Sequence, residues 1–221
     1  MAETAVKPAR RWPFNKKQNQ KILLWLTHIG SLLPLVRLYW RFRNNALGAD
    51  PIREILFFTG ITALVLLVLT VAVTPLITLF GWSQLAPLRK WFGLYSFLYV
   101  NLHFVDWLWL DYGFNWQFIS QGILNQRFVL VGFAAWLLMV PLAMTSNRRS
   151  QKWLKRNWRK LHQLTYVIII LALLHFFWLV KNVYIEPTIY AVIVVILLAL
   201  RIPSVRKYVA TQRRKLVKRF R

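Results

Sequence analysis

The histidines of this chain are the side chains whose chemistry and spacing point to a functional site. The 221 residues include four, His28, His103, His162 and His175, and no cysteine. A chain without cysteine cannot form disulfides, iron–sulfur clusters or covalently attached haem. Each histidine falls within or at the edge of a long apolar segment, where ionisable side chains are costly and usually functional. Neutral imidazole binds metals and haem iron, so all four histidines are candidate metal ligands.

Long apolar segments must position these histidines. The chain is 57% hydrophobic, and its apolar residues form blocks of about 20, the length that crosses a bilayer as a helix. A tight turn at Asn182 and Val183 separates the last two blocks, and Pro187 suits the first turn of the final helix. The predicted spans are 22–42, 56–80, 91–111, 127–146, 159–181 and 184–202. We therefore predict an all-α integral membrane bundle of six transmembrane helices.

Basic residues crowd between the apolar blocks. The chain has 30 Lys and Arg against 6 Asp and Glu, a net charge of +24. Because these residues flank apolar spans and do not cover one face of a soluble fold, we expect no nucleic-acid partner. With the N-terminus inside, 24 of the 30 fall on the cytoplasmic side. The positive-inside rule then predicts that both termini are cytoplasmic.

The same pattern predicts three regions. Residues 1–21 form a basic cytoplasmic tail, residues 22–202 the transmembrane domain, and residues 203–221 a second basic cytoplasmic tail. Two interpretations of the second tail stand side by side: an amphipathic helix on anionic lipid, or an anchor that sets the topology.

Depth in the membrane sorts the histidines into two layers. Counted from the cytoplasmic end of each span at about 1.5 Å per residue, His28 and His162 lie near the inner face, whereas His103 and His175 lie from the middle outward. His162 and His175 are 13 residues apart, a rise of about 20 Å that suits two stacked haems in a core about 30 Å thick. We predict one or two b-type haems, held by the histidines of these layers. The alternative for each histidine is a packing role, with Ser, Thr or a backbone carbonyl bonded to its nitrogens.

Other residues at matching depth suit a haem. Small residues leave room for a flat macrocycle between helices, and cations near the interfaces suit its propionates. The small residues are Gly30 and Gly93 in the inner layer and Gly60 and Gly132 in the outer layer. The cations are Arg89, Lys90, Arg159 and Lys160 inside and Arg53 and Arg127 outside.

Two further features each have two interpretations. Asp106, one turn after His103, either accepts a hydrogen bond from a ligating imidazole or from a water, or lies at the outer interface. The neighbouring aromatic residues either line a haem pocket or form an interfacial belt. These aromatic residues are Trp107, Trp109, Phe176, Phe177 and Trp178.

Several short motifs, in this order and spacing, resemble a known family. They are L-G-A-D-P at 47–51, F-T-G at 58–60, T-P-L at 74–76, R-K-W-F-G-L at 89–94 and W-R-K-L-H-Q-L-T-Y at 158–166. The fourth motif leads to His103 and the fifth contains His162 and leads to His175. The chain resembles the haem-binding membrane subunits, MsrQ, of the bacterial protein-methionine-sulfoxide reductase system, which are ferric-reductase-like transmembrane proteins.

The resemblance implies a multi-pass subunit of the bacterial inner membrane with one or two b haems. Such a subunit takes electrons from the quinone pool and passes them to a periplasmic molybdopterin reductase, MsrP, which itself reduces the oxidised methionine. By position, the family's haem ligands fall on His103, His162 and His175, whereas His28 is a candidate from depth alone. The family is also linked to flavin mononucleotide, for which no local motif stands out in this chain.

Two other classes of protein share some of these features. One is a small permease or proton-coupled carrier whose histidines relay protons. Carriers usually show internal repeats and broken helices, and no repeat of about 20 to 50 residues is visible here. The other is a membrane scaffold in which the histidines only pack.

Overall fold

Residues 16–180 and 184–219 are described by a computed structural model, and all the regular structure in these ranges is helical. The predicted turn at Asn182 and Val183 and most of the N-terminal tail, residues 1–15, lie outside the described residues. The prediction of an all-α chain is confirmed for the part that the structure describes.

The helices follow the apolar segments closely. Each predicted span coincides with one helix or with two consecutive helices, because an apolar block of this length satisfies its backbone only by forming internal hydrogen bonds. The helices are α1 (Lys16–Arg43), α2 (Pro51–Phe80), α3 (Leu88–Asp106), α4 (Trp116–Asn125), α5 (Arg127–Met144), α6 (Arg148–Leu154), α7 (Arg156–His162), α8 (Leu164–Leu179), α9 (Ile185–Ala199) and α10 (Pro203–Arg219).

Length and composition single out fewer membrane crossings than the six predicted. Four stretches are long and apolar enough to cross a membrane: α1, α2, α5 and the stretch Arg156–Leu179 that joins α7 to α8. A fifth is added if α9 and α10, bent by 77° at their junction, count as one span. The third predicted span, α3, is not among them, since it carries Arg89, Lys90 and Asp106. The chain is therefore a multi-pass helical membrane protein, and six crossings stay a prediction.

Local signals set the helix ends. Asp50 caps α2 by accepting a hydrogen bond from the backbone N–H of Arg53, and Pro51 occupies the first turn. Gly81 ends the same helix with a φ of 77°, a left-handed conformation that glycine adopts without strain. At its outer end α3 continues into a π-helical turn, Trp107–Asp111, which widens the helix there.

Two helix hairpins form the centre of the fold. Helix α2 packs along α3, and α5 packs along α8. A buried cluster joins the two pairs, with Leu67 and Val71 from α2, Met139 from α5 and Ile169 from α8. Helix α1 lies against α3, where the buried hydroxyl of Tyr99 donates to the carbonyl of Ser31 at 2.8 Å.

The last helix crosses one end of the bundle. We call this end the basic end; it holds the start of α3, helices α6 and α7, and α10. The bend of 77° turns α10 away from α9 and against α2. Arg213 of α10 donates to the carbonyls of Ile77 and Thr78 at 3.0 and 3.1 Å, near the end of α2. The second predicted tail therefore contains a helix that is attached to the bundle.

Candidate functional site

The structure brings the two histidines of the predicted outer layer together. His103 comes from α3 and His175 from α8, so that each hairpin contributes one imidazole. The ring centroids are 6.1 Å apart and the ring planes lie at 86° to each other. The predicted pairing of His103 with His175 thus agrees with the packing of the two hairpins.

Backbone carbonyls hold both imidazoles by the same nitrogen. Nδ1 of His103 lies 2.9 Å from the carbonyl oxygen of Leu56, and Nδ1 of His175 lies 2.7 Å from that of Phe128. Because a carbonyl oxygen only accepts, each Nδ1 carries the proton and each Nε2 keeps a free lone pair. Neither Nε2 has a hydrogen-bond partner among the described residues. This is the arrangement in which an imidazole is ready to bind a metal through Nε2.

The spacing of the rings fits one metal between them. A metal-bound imidazole nitrogen lies about 2 Å from the ion and its ring centre about 1 Å further, so two imidazoles on opposite sides have centroids about 6 Å apart. The observed separation is 6.1 Å. No group of three or more His, Cys, Asp or Glu able to hold an ion occurs within 16–180 and 184–219. The pair therefore suits a metal whose remaining ligands come with a macrocycle, and the residues fit a haem.

A cavity surrounds the two rings. Its volume is about 580 Å³ and both histidines line it. Most of its wall is apolar, and Asp50, Arg53 and Gln126 are among its polar lining residues. Of the cations predicted for the haem propionates, Arg53 lines this cavity.

Gly60 and Gly132 lie directly behind the imidazoles. A Cβ atom at Gly60 would lie 3.2 Å from the ring of His103, and one at Gly132 would lie 2.6 Å from Nδ1 of His175. Each ring therefore occupies space that is free because the facing helix carries a glycine at that position. The sequence analysis predicted that these glycines make room for a macrocycle, and the structure shows that they make room for the imidazoles. The inner-layer glycines differ: a Cβ at Gly93 would meet only Thr70, at 3.7 Å, and one at Gly30 would meet nothing within 4 Å.

The two half-sites repeat along the chain. In each, 47 residues separate the histidine from the carbonyl that binds it. The shift from one half-site to the other is 72 residues for the histidines, the carbonyl residues and the glycines alike. This relation was not predicted, because a shift of 72 residues is longer than an internal repeat of about 20 to 50 residues. The equal spacing of Gly60 from His103 and of Gly132 from His175 was the signal that would have revealed it.

Asp106 accepts a hydrogen bond from helix α2. Its Oδ2 accepts from the hydroxyl of Thr59 at 3.2 Å. The Nδ1 proton of His103 is already bonded to Leu56, so the predicted hydrogen bond from a ligating imidazole to Asp106 is not formed. The carboxylate instead links α3 to α2 next to the site.

The aromatic residues near the site divide between the two predicted roles. Trp107 and Phe176 line the cavity. Trp109 and Trp178 are exposed and belong to the surface, as expected for an interfacial belt. Phe104 and Trp136, which the sequence analysis did not single out, stack on each other in the cavity wall with centroids 4.6 Å apart.

The two histidines of the predicted inner layer have separate neighbours. Nε2 of His162 lies 3.1 Å from the hydroxyl of Thr145, and its ring stacks on Trp158. Nδ1 of His28 lies 2.9 Å from the hydroxyl of Tyr95. No hydrogen bond or ring contact between His28 and His162 occurs in the described residues, so the structure brings one histidine pair together and not the other.

Comparison with known proteins gives one consistent family. The model of the ferric reductase like transmembrane component matches residues 59–173. The haem-binding subunit MsrQ of the protein-methionine-sulfoxide reductase from Xanthomonas campestris pv. campestris is 45% identical over 181 residues, 79% of this chain and 83% of the relative. The protein of the same name from Bordetella pertussis is 37% identical over 181 residues, 81% of this chain and 88% of the relative.

Proposed function

The chain belongs to the ferric-reductase-like transmembrane family and, within it, to the MsrQ haem-binding subunits, and from this premise we propose that His103 and His175 bind a b-type haem that carries electrons through the membrane. The observation that supports this most directly is the pair of imidazoles, 6.1 Å apart, with both Nδ1 protons bonded to carbonyls. Two imidazole ligands give a haem iron that transfers one electron with little rearrangement.

The residues around the pair have distinct roles in this proposal. The carbonyls of Leu56 and Phe128 orient the imidazoles and raise their basicity. Gly60 and Gly132 let the rings approach the facing helices. Arg53, which lines the cavity, pairs with a propionate.

We also propose the path of the electrons and the orientation of the chain. Electrons enter from the quinone pool, directly or through flavin mononucleotide, and leave to the periplasmic molybdopterin reductase MsrP. Support for a methionine-sulfoxide reductase system comes from the names of the relatives.

Support for an inner-membrane chain with both termini cytoplasmic comes from the 24 of 30 basic residues on one side. His162 and His28 are proposed ligands of a second haem at the basic end.

Absorbance spectroscopy tests the outer haem. Protein purified from haem-sufficient cells is expected to show a Soret band that shifts on reduction with dithionite. His103→Ala and His175→Ala should each remove the outer haem, because either change leaves the iron with one protein ligand. Unchanged haem content in both variants would refute the assignment, and colourless wild-type protein would favour the proton-carrier alternative.

The inner layer has its own readout in the same experiment. A second haem bound by His28 and His162 predicts that His28→Ala and His162→Ala each reduce the haem content from two per chain to one. Tyr95→Phe is the matched control, since it removes the hydrogen bond to His28 without removing a ligand. One haem per wild-type chain, retained in both histidine variants, would contradict the second site.

A further inference from the structure

An arginine at the junction of α9 and α10 reaches into the bundle. The guanidinium of Arg201 donates to the hydroxyl of Tyr166 at 2.5 Å and to the carbonyl of Val71 at 2.6 Å. Its third nitrogen, Nε, is buried and has no partner among the described residues. A buried donor without an acceptor is unfavourable, and it is more so on a charged group.

Arg89 lies close enough to Arg201 and Arg206 for their charges to interact with it. Burial lowers the pKa of Arg89, and the positive charges of Arg201 and Arg206 lower it further. The described ion pair is elsewhere, between Arg41 and Glu54. The acidic residues within 16–180 and 184–219 are Asp50, Glu54, Asp106, Asp111 and Glu186, which lie toward the other end of the helices. Among the described residues, the three guanidinium groups therefore have no carboxylate to balance them.

We propose that Arg89, Arg201 and Arg206 form a binding site for the phosphate group of an anionic phospholipid. The planar guanidinium presents a fork of N–H donors that matches phosphate oxygens, and a phosphate supplies the missing negative charge.

The surroundings of the cluster favour a lipid as the source of the phosphate. The outward side chains of α9, including Val192, Val195 and Ile196, are apolar and exposed, and Ile202 at the junction is 52% exposed. In a membrane, acyl chains cover such a surface. A phospholipid that lies along α9 brings its headgroup to the bend of 77°, where Arg201 and Arg206 flank the turn. A basic cluster at the end of a membrane helix attracts anionic headgroups in addition.

Lipid retention measured by native mass spectrometry tests the site. The full-length protein in detergent is titrated with phosphatidylglycerol, and the fraction of protein that carries bound lipid is measured. Arg206→Gln and Arg201→Gln should each weaken binding about tenfold, the effect of one charged hydrogen bond. Lys152→Gln is the matched control, since it removes the same charge from an exposed position on α6 and should bind as the wild type does.

Two further measurements test the guanidinium fork and the occupant of the site. Arg201→Lys retains the charge but not the fork, and it should bind more weakly than the wild type. Arg206 is exposed, so its variant is expected to fold even if the Arg201 variants do not. Equal retention of phosphatidylglycerol in Arg206→Gln and Lys152→Gln would overturn the site.

Displacement of the lipid by millimolar flavin mononucleotide or inorganic phosphate would overturn the lipid as its occupant. None of these measurements depends on haem, so their failure is separate from a failure of the proposed function.

Discussion

At the scale of single residues, the site depends on which atoms meet each imidazole. Both Nδ1 protons are bonded to backbone carbonyls, and both rings lie against a glycine. The carbonyls cannot be removed by substitution, but the glycines can. They therefore provide the sharpest test of how the ligands are positioned.

Gly132→Ala is predicted to weaken haem binding strongly. The new Cβ would lie 2.6 Å from Nδ1 of His175, so the ring must shift and its bond to Phe128 must lengthen. Loss of an outer-shell partner of this kind typically lowers affinity about 10- to 100-fold. Gly60→Ala, with a contact of 3.2 Å, should have a smaller effect. Haem per protein, measured as the pyridine haemochrome, checks the order.

Gly93→Ala is the control for this series. It makes the same change inside a helix, but its Cβ meets only Thr70 at 3.7 Å, an ordinary contact. Haem content should equal that of the wild type. If Gly93→Ala and Gly132→Ala lose haem equally, the loss reflects helix packing in general and not the position of His175.

At the scale of helices, a side chain from α10 holds the end of α2. The end of α2 depends on Arg213, whose guanidinium donates to the carbonyls of Ile77 and Thr78 across the bundle. A cation at this position also interacts favourably with the negative end of the helix dipole.

Arg213→Ala is predicted to lower the free energy of unfolding by about 1 kcal/mol, because two carbonyls of α2 lose a charged donor. Thermal unfolding in detergent, followed by tryptophan fluorescence, measures the change. Lys215→Ala removes an equal charge from an exposed position of the same helix and should leave the midpoint unchanged. Equal midpoints for both variants would mean that α10 does not stabilise α2 through Arg213.

At the scale of the whole molecule, two equivalent hairpins enclose the site. The shift of 72 residues relates His103 to His175 and places their helices on opposite sides of the cavity. Each hairpin alone supplies one ligand, so the site forms only when α2 and α3 pack on α5 and α8. The inner layer has no such pairing: Lys90, not a histidine, lies 72 residues before His162.

Single-cysteine labelling tests the topology, because the chain has no cysteine of its own. With six crossings and cytoplasmic termini, Ser120→Cys on α4 should react with a membrane-impermeant maleimide in intact cells. Ser204→Cys on α10 should react only after lysis. Both serines are exposed, so accessibility does not limit the reaction. Labelling of Ser204→Cys in intact cells would contradict the proposed orientation.

The helices and their order could be predicted from the sequence because the information is local. Apolar blocks of about 20 residues form helices in lipid independently of their neighbours. The basic residues between them predict which side of the membrane each loop faces. Counting along each block also placed His103 and His175 at similar depth. Depth depends only on helix rise, which every residue shares.

Contacts between helices were decided by the tertiary structure. The carbonyls of Leu56 and Phe128 have no signature in the sequence, since every residue carries one. Azimuth around a helix depends on packing, so the bond of Asp106 to Thr59 and the separation of His28 from His162 were not predictable. The cluster of Arg89 with Arg201 and Arg206 likewise arises from two distant segments. Local composition therefore determined the helices and the level of His103 and His175, whereas side-chain direction, which only packing sets, determined which groups meet.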